Sequence, residues 1–192
     1  MESSGHFGFS ATVTYVMVWL ANYFGISISW RDGAVLILGS AFLASLPDID
    51  IRLRRIGFRH RGFTHTIWFA LLLGALTYLS LSYLSREGIE LPITPILAAL
   101  TVMVAIITHI AADALNHQRV RPLTPLSDVG IALHLFRSSN RAANSGFFLI
   151  GLSLVVIYFY GLGRADIVVE AALAGVAAVA GLAAVTDRVG GH

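Results

Sequence analysis

Seven side chains of types that bind metal ions recur at short spacings within residues 6–113. Asp48 and Asp50 form an Asp-x-Asp pair after Pro47, and His109 and Asp113 lie four residues apart in an apolar stretch. Residues at i and i+4 share one face of a helix, so His109 and Asp113 can bind one ion together. Imidazole mixed with carboxylate suits Zn, Mn or Fe, whereas carboxylate-rich sites suit Mg or Mn. The predicted metal ligands are His6, Asp48, Asp50, His60, His65, His109 and Asp113.

A cluster of this size has room for one or two divalent ions (Zn, Mn or Mg), an arrangement that is used to split phosphoesters. A cation is also expected because the Asp-x-Asp pair follows a predicted helix C-terminus, where negative charge is disfavoured. His60 and Asp50 are the predicted catalytic residues, with His60 protonating the leaving group. Arg59 and Arg61 flank His60 and are predicted to bind a substrate phosphate.

Several of these residues also have an ordinary structural explanation. A lone membrane histidine such as His6 can be a hydrogen-bonding contact between helices, and the Asp-x-Asp pair can cap a turn or pair with nearby arginines. Asp113 differs, because a carboxylate inside an apolar helix is costly and usually functional. His117 remains ambiguous, and His134 and His192 are predicted to lie on the surface.

The remaining polar residues near these motifs have simpler assignments. Arg52, Arg54 and Arg55 are interpreted as topology determinants that touch lipid phosphates. Asn140 and Asn144 are expected to cap the fifth helix, with lining of the pocket as the alternative.

The elements that must position these residues are membrane helices. The 192 residues are 56% hydrophobic and 12% charged, and several apolar runs exceed the roughly 18 residues that indicate a membrane span. The sequence predicts an all-α, polytopic helix bundle that forms one integral-membrane domain over residues 1–192, with the metal motifs within 1–145. The second element has only about 14 residues, or ~21 Å of helix, short of a ~30 Å hydrocarbon core. The six predicted hydrophobic elements are 9–28, 33–46, 63–84, 94–115, 146–161 and 167–185.

Loop charges predict the orientation of the bundle. The 47–62 and 116–145 loops are rich in arginine, whereas the 85–93 loop has only Arg86 against Glu87 and Glu90. With six spans, the two arginine-rich loops fall on one side, which the positive-inside rule makes cytoplasmic. Both termini and all the predicted ligands fall on that side too, in the inner (cytoplasmic) membrane.

Composition excludes some classes of partner and site. The chain has no cysteine, which excludes disulfides and thiolate metal sites. Its basic residues, all arginine, lie beside apolar spans, so anionic lipid headgroups or phosphate are better partners than nucleic acid. The start carries Glu2 and no basic residue, unlike the n-region of a cleaved signal. The expected partners are membrane lipids and a small-molecule or lipid substrate.

The motifs "LPDID", "HRGFTHT", "THIAADALN" and "PLTPLSD" resemble those of a family of membrane-bound, metal-dependent hydrolases. One bacterial branch of that family is described as LexA-regulated and inner-membrane-associated. The resemblance covers residues 1 to about 150 and implies a metal site more strongly than a reaction. The positions that match the family pattern are His6, Pro47, Asp48, Asp50, His60, Arg61, Gly62, Thr64, His65, His109 and Asp113.

Three functions are consistent with these observations. The first is a metal-dependent hydrolase at the cytoplasmic membrane face that cleaves a phosphate-containing or lipid-linked ester. The second is a metal-dependent phosphotransferase that moves a phospho-alcohol between lipid carriers. The third is a metal transporter or scaffold, which the crowding of polar residues on one face disfavours, because transport sites usually lie near the bilayer midplane.

Overall fold

The computed structural model describes residues 1–57, 60–160, 175–179, 181 and 183–187. Within these residues there is no β-strand beyond two isolated bridges, so the predicted all-α architecture is confirmed. Four helical stretches are long and apolar enough to cross a membrane: Trp30–Leu53, Ile67–Arg86, Pro95–Ala114 and Arg141–Tyr160. About half of the predicted element 167–185 lies outside the described residues, and its described residues, 175–179, 181 and 183–185, are helical. The helices are α1 (Ser3–Tyr23), α2 (Trp30–Leu43), α3 (Ile49–Leu53), α4 (Ile67–Arg86), α5 (Pro95–Ala114) and α6 (Arg141–Tyr160).

Polar side chains determine where four of the helices begin. Ser29, Thr66, Thr94 and Asn140 each accept a hydrogen bond from a backbone N–H in the first turn of α2, α4, α5 and α6. Each such cap contributes about 1 kcal/mol. The predicted starts at 33 and 146 were therefore too late, because hydropathy does not detect the polar first turns of α2 and α6. The predicted start at 63 was too early, because hydropathy does not detect the cap at Thr66.

Helix α1 also differs from the prediction, since it runs over Ser3–Tyr23 rather than 9–28. Gly25 has a φ of +84°, a conformation that glycine adopts readily and that ends helices. Asn22 reinforces the turn, because its side chain donates to the Val18 carbonyl and accepts from the Ile28 N–H.

Helix α2 has 14 residues, which matches the short second element predicted from the sequence. The chain then passes through a 3₁₀ turn, Leu46–Asp48, into the short helix α3. The Asp-x-Asp pair therefore lies on tightly wound backbone, which turns both carboxylates toward the bundle.

Helix α1 packs against α2, α5 and α6, and α4 packs against α5. Gly8 and Gly151 allow α1 and α6 to approach closely, because a Cβ on either glycine would overlap the backbone of the other helix. Small residues at such crossings are the usual means of packing helices in membranes.

One end of the bundle collects the starts of α1, α4 and α6 and the ends of α2 and α5. The Met1 amino group contacts Asp113, the Glu2 N–H donates to Asn144, and the Ile67 N–H donates to the Pro122 carbonyl. We call this the histidine end and the opposite end, with connections 24–29 and 87–94, the far end. The two arginine-rich loops share the histidine end, as predicted; its cytoplasmic assignment stays a prediction.

Candidate metal centre

Four side chains converge at the histidine end, and we call them the central cluster: Asp48, His65, His109 and Asp113. The Nε2 atoms of His65 and His109 are 3.0 Å apart. Asp48 Oδ1 lies 3.6 Å from each of these nitrogens. Asp113 Oδ2 lies 3.8 Å from His65 Nε2 and 4.0 Å from His109 Nε2. Four potential ligand atoms from three segments of the chain therefore face one another.

A backbone carbonyl orients His109. The last carbonyls of a helix have no donor within the helix, and Ala44, the residue that ends α2, places its carbonyl oxygen 2.6 Å from His109 Nδ1. The Nδ1–H therefore donates to Ala44, which leaves the Nε2 lone pair directed at the cluster.

His65 is oriented in a similar way by two side chains. Its Nδ1 lies 3.0 Å from Thr64 Oγ1 and 3.3 Å from Asp50 Oδ2. The Thr64 hydroxyl donates to Asp50 Oδ2, so its oxygen is left to accept the His65 Nδ1–H. His65 Nε2 is thereby unprotonated and faces the cluster. A carboxylate behind a ligating histidine is a common arrangement at metal sites.

Asp50 is completely buried and turns away from the point where the central cluster converges. Besides Thr64, it accepts the Arg61 N–H at 2.9 Å and lies 3.0 Å from His60 Nδ1. Arg61 adopts a φ of +60°, a region that costs a non-glycine residue about 1–2 kcal/mol. That backbone conformation accompanies the N–H contact to Asp50, so the strain occurs where the loop organises the site.

Asp113 is surrounded by donors on both oxygens. Oδ1 accepts from the Met1 amino group at 2.9 Å and from Asn116 Nδ2 at 3.1 Å. Oδ2 forms an ion pair with Arg61 Nη2 at 2.8 Å. A carboxylate oxygen has two lone pairs, so Oδ2 can face Arg61 and the two histidines together.

His6 closes the cluster from α1. Its ring stacks on His109 with centroids 3.9 Å apart, and its Nε2 lies 3.4 Å from Asp113 Oδ1. Within the described residues, neither ring nitrogen has a partner with good hydrogen-bond geometry, although the side chain is buried. Buried polar atoms normally have partners, so an additional ligand is expected here.

These atoms fit a divalent cation. Two bare imidazole nitrogens at 3.0 Å, flanked by two carboxylates, repel one another unless a positive charge lies between them. Zinc–nitrogen bonds of ~2.0–2.1 Å place tetrahedral ligand atoms about 3.3 Å apart, within the range of spacings observed. Among the residues that the structure describes, three groups have ligand atoms within 4.8 Å of one another: His6, Asp48 and His109; Asp48, His60 and His65; and His65, His109 and Asp113.

The remaining predicted residues lie at or near this centre. His60 is 31% exposed and contacts Asp50 at the rim. Arg61 contacts Asp113 rather than open solvent, and Arg59 lies outside the described residues. His65 was expected in the first turn of a helix but lies in the 3₁₀ turn Phe63–His65, because Thr66 caps α4 one residue later.

Outside the cluster, His117 and His134 are exposed and contact each other, with ring centroids 5.7 Å apart. His192 lies outside the described residues. Asn140 caps α6 as expected, whereas Asn144 accepts the Glu2 N–H and so attaches the start of α1 to α6.

The contributors to the site that were not identified from the sequence include the Met1 amino group, the Ala44 carbonyl, Thr64 and Asn116. The Ala44 carbonyl has no sequence signal, because any residue provides a carbonyl. Thr64 was visible only as part of the histidine motif, without a role. Asn116 follows Asp113 by three residues, a spacing that places both on one helical face and was available as a signal.

Comparison with known proteins gives one match. No curated protein and no solved structure matches the chain. The family model described as YdjM inner membrane protein matches residues 1–188. The match agrees with the resemblance of the sequence motifs to an inner-membrane family. The chain therefore belongs to the YdjM inner membrane protein family and is a multi-pass protein of the inner membrane.

Proposed function

We propose that this protein is a metal-dependent hydrolase, embedded in the membrane, that cleaves a phosphate-containing or lipid-linked ester at the histidine end. The observation that carries the proposal is the central cluster. Two imidazoles whose Nδ1 atoms are occupied by Ala44 and Thr64 present bare Nε2 atoms beside Asp48 and Asp113.

One or two divalent ions would be held by the central cluster, with His6 as a further ligand, while His60 stays free of the metal and acts as the acid. Bound there, a divalent ion activates water near neutral pH and neutralises charge that develops on a phosphoryl group. Burial of the cluster excludes bulk water, which strengthens each of these electrostatic interactions.

Acid catalysis falls to His60. Asp50 accepts its Nδ1–H and sets the direction of the ring, so Asp50 acts as a positioning residue for both His60 and His65. His60 is exposed enough to exchange protons with solvent. When water attacks phosphorus and the ester P–O bond breaks, His60 protonates the departing alcohol oxygen.

Arg61 would hold the phosphate. Its Nη2 contacts Asp113 and its Nη1 donates to the Gln118 carbonyl at 2.9 Å. Its Nε is buried without a partner among the described residues. A phosphate oxygen would satisfy that donor, which fits the preference of guanidinium for phosphate.

The test combines metal content and hydrolysis. Protein purified in detergent should contain one or two equivalents of metal by mass spectrometry. It should also release nitrophenol from bis(4-nitrophenyl) phosphate when Zn or Mn is supplied. His109→Ala and Asp113→Asn should lose both properties, because each removes a ligand. His117→Ala and Asp128→Asn are matched controls at exposed positions of the same end and should keep both.

Stoichiometric metal in both ligand variants would contradict the assignment of the site. Metal that depends on His109 and Asp113, combined with no ester cleavage across mono- and diester probes, would contradict the hydrolase. Transfer of phosphate to an added alcohol, in place of its release to water, would favour the phosphotransferase.

A further inference from the structure

A groove of about 360 Å³ lies beside the central cluster. It runs between the start of α1 and the segment that joins α2 to α3. Its walls are formed by Ser3, Ser45, Leu46, Asp48, Ile49 and Ile51, and Arg52 closes one side.

Asp48 belongs to both the groove and the cluster. It is the most exposed member of the cluster, at 21%, while the other three side chains are exposed by 2% or less. Its Oδ1 nevertheless lies 3.6 Å from the Nε2 atoms of His65 and His109. The groove is therefore the side on which a molecule from outside can reach the centre.

The walls offer an apolar surface and one arginine, Arg52, while the carboxylate of Asp48 is directed to the histidines of the central cluster; this combination suits an anionic amphiphile. Ile49 and Ile51 are 43% and 47% exposed, which provides an apolar surface. Arg52 follows Asp48 by four residues and so lies one helical turn along the same face. Among the arginines of the described ranges, Arg61 and Arg121 form ion pairs and Arg52 does not. Its guanidinium is thus available to an external anion.

The position of the groove indicates which amphiphile this is. The stretch Trp30–Leu53 is a candidate membrane span, and α3 forms its last turns. Exposed isoleucines beside exposed arginines at the end of a span lie where acyl chains meet phosphate groups. Arg54 and Arg55 are also exposed and add to the attraction for anionic lipid. The phosphate group of a lipid can therefore enter this groove directly from the bilayer.

We propose that this groove binds the head of a membrane phospholipid, with the entering phosphate on Arg52 and the start of the acyl chain along Ile49 and Ile51. In the proposed cleavage step the phosphate then moves inward to Arg61 at the central cluster. The proposal names the substrate class of the hydrolase and rests on that proposed function for the cleavage step. Binding itself depends on the groove and Arg52.

The test measures binding apart from cleavage. Dihexanoyl phosphatidic acid, below its micelle concentration, is titrated calorimetrically into detergent-solubilised protein, both metal-free and Zn-loaded. Arg52→Gln should raise Kd about tenfold in both states, the loss expected for one charge-assisted phosphate contact. Arg54→Gln removes the same charge from the same loop but lies outside the groove. It should change Kd by less than about twofold, as expected for an exposed, screened charge.

A second variant tests the groove without changing charge. Ser3 is exposed and begins α1, so Ser3→Phe fills the groove from the opposite wall with little effect on folding. It should also weaken phosphatidic acid binding. Glycerol 3-phosphate, which has the head but no chain, should bind at least tenfold more weakly than the lipid.

Three results would overturn the proposal. These are equal losses in Arg52→Gln and Arg54→Gln, unchanged binding in Ser3→Phe, and glycerol 3-phosphate binding as tight as that of the lipid. The last would assign the site to free phosphate compounds. Failure of the hydrolase would instead appear as lost metal or absent cleavage while the Arg52 effect on Kd remained.

Discussion

The two ends of the bundle treat charge in opposite ways. At the histidine end, Asp50 and Asp113 are buried and each accepts contacts from several donors. At the far end, Arg31, Asp32 and Glu90 are exposed around a larger cavity of about 610 Å³. The groove beside Asp48 measures only about 360 Å³.

Converging buried charge, rather than cavity size, therefore distinguishes the histidine end as the candidate site. Burying a carboxylate costs several kcal/mol unless cations and donors surround it. Both carboxylates at the histidine end have such partners, which offset the cost of burial and fix the direction of each group. The far-end charges remain hydrated and need no such explanation.

The largest effect that would separate the two ends is expected from Asp50→Asn. The substitution removes the negative charge that accepts the Nδ1–H of His60 and lies beside Nδ1 of His65. The four side chains of the central cluster are unchanged. Loss of an outer carboxylate of this kind typically weakens metal affinity by about 10–100-fold. Glu90→Gln, at the far end, should leave affinity unchanged. Competition for zinc with a fluorescent chelator measures both, and an equal response of the two variants would remove the distinction.

A smaller effect is expected from Gly8→Ala. The added Cβ would meet the Phe147 backbone carbonyl, so α1 and α6 must separate. Overpacking of this kind costs about 1–3 kcal/mol. Gly33→Ala, toward the far end, meets the end of the Tyr158 side chain rather than backbone, and should cost less because a side chain can shift more easily than a helix. Apparent free energies of unfolding in detergent would show the difference; equal losses would mean that the α1–α6 crossing is not tightly packed.

The smallest effect concerns two helix caps. Thr66→Ala and Ser29→Ala each remove an N-cap worth about 1 kcal/mol, so their unfolding energies should fall by similar amounts. Only Thr66 also donates to the Phe63 carbonyl, within the 3₁₀ turn that ends at His65. Thr66→Ala alone should therefore lower zinc affinity as well. A parallel loss of affinity in Ser29→Ala would show that the two ends are coupled.

Much of the fold could be predicted from hydropathy, and the errors have a common cause. Apolar content located α5 almost to the residue, 94–115 against Pro95–Ala114, because its first turn is short of polar residues. It placed the starts of α2 and α6 too late, because Ser29 and Asn140 begin those helices before the apolar stretch. It placed the start of α4 too early, because Thr66 begins that helix within the apolar stretch. Hydropathy locates the residues that contact lipid. The helix starts are instead located by capping residues, which provide acceptors for the first backbone N–H groups.

The candidate site was predicted as a set of residues but not as a layered arrangement. The sequence placed Asp48 and Asp50 together as equivalent ligands, and the structure gives them different surroundings. Asp48 faces the Nε2 atoms of His65 and His109, whereas Asp50 contacts Nδ1 of His65 and Nδ1 of His60. Two residues separated by one position cannot reveal this from spacing alone, because the 3₁₀ turn at Leu46–Asp48 decides where each side chain points.

Because the Ala44 carbonyl at the end of α2 orients His109, the geometry of the central cluster depends on the length of α2. One residue inserted between Ser29 and Ala44 would rotate the end of the helix by about 100° and advance it by about 1.5 Å. A different carbonyl would then face α5, and the Asp-x-Asp turn would move with it. Insertions and deletions should thus be tolerated in the far-end connection 87–94 and rejected in α2. The length of this short helix is therefore constrained by its contact with the His109 imidazole rather than by the thickness of the bilayer.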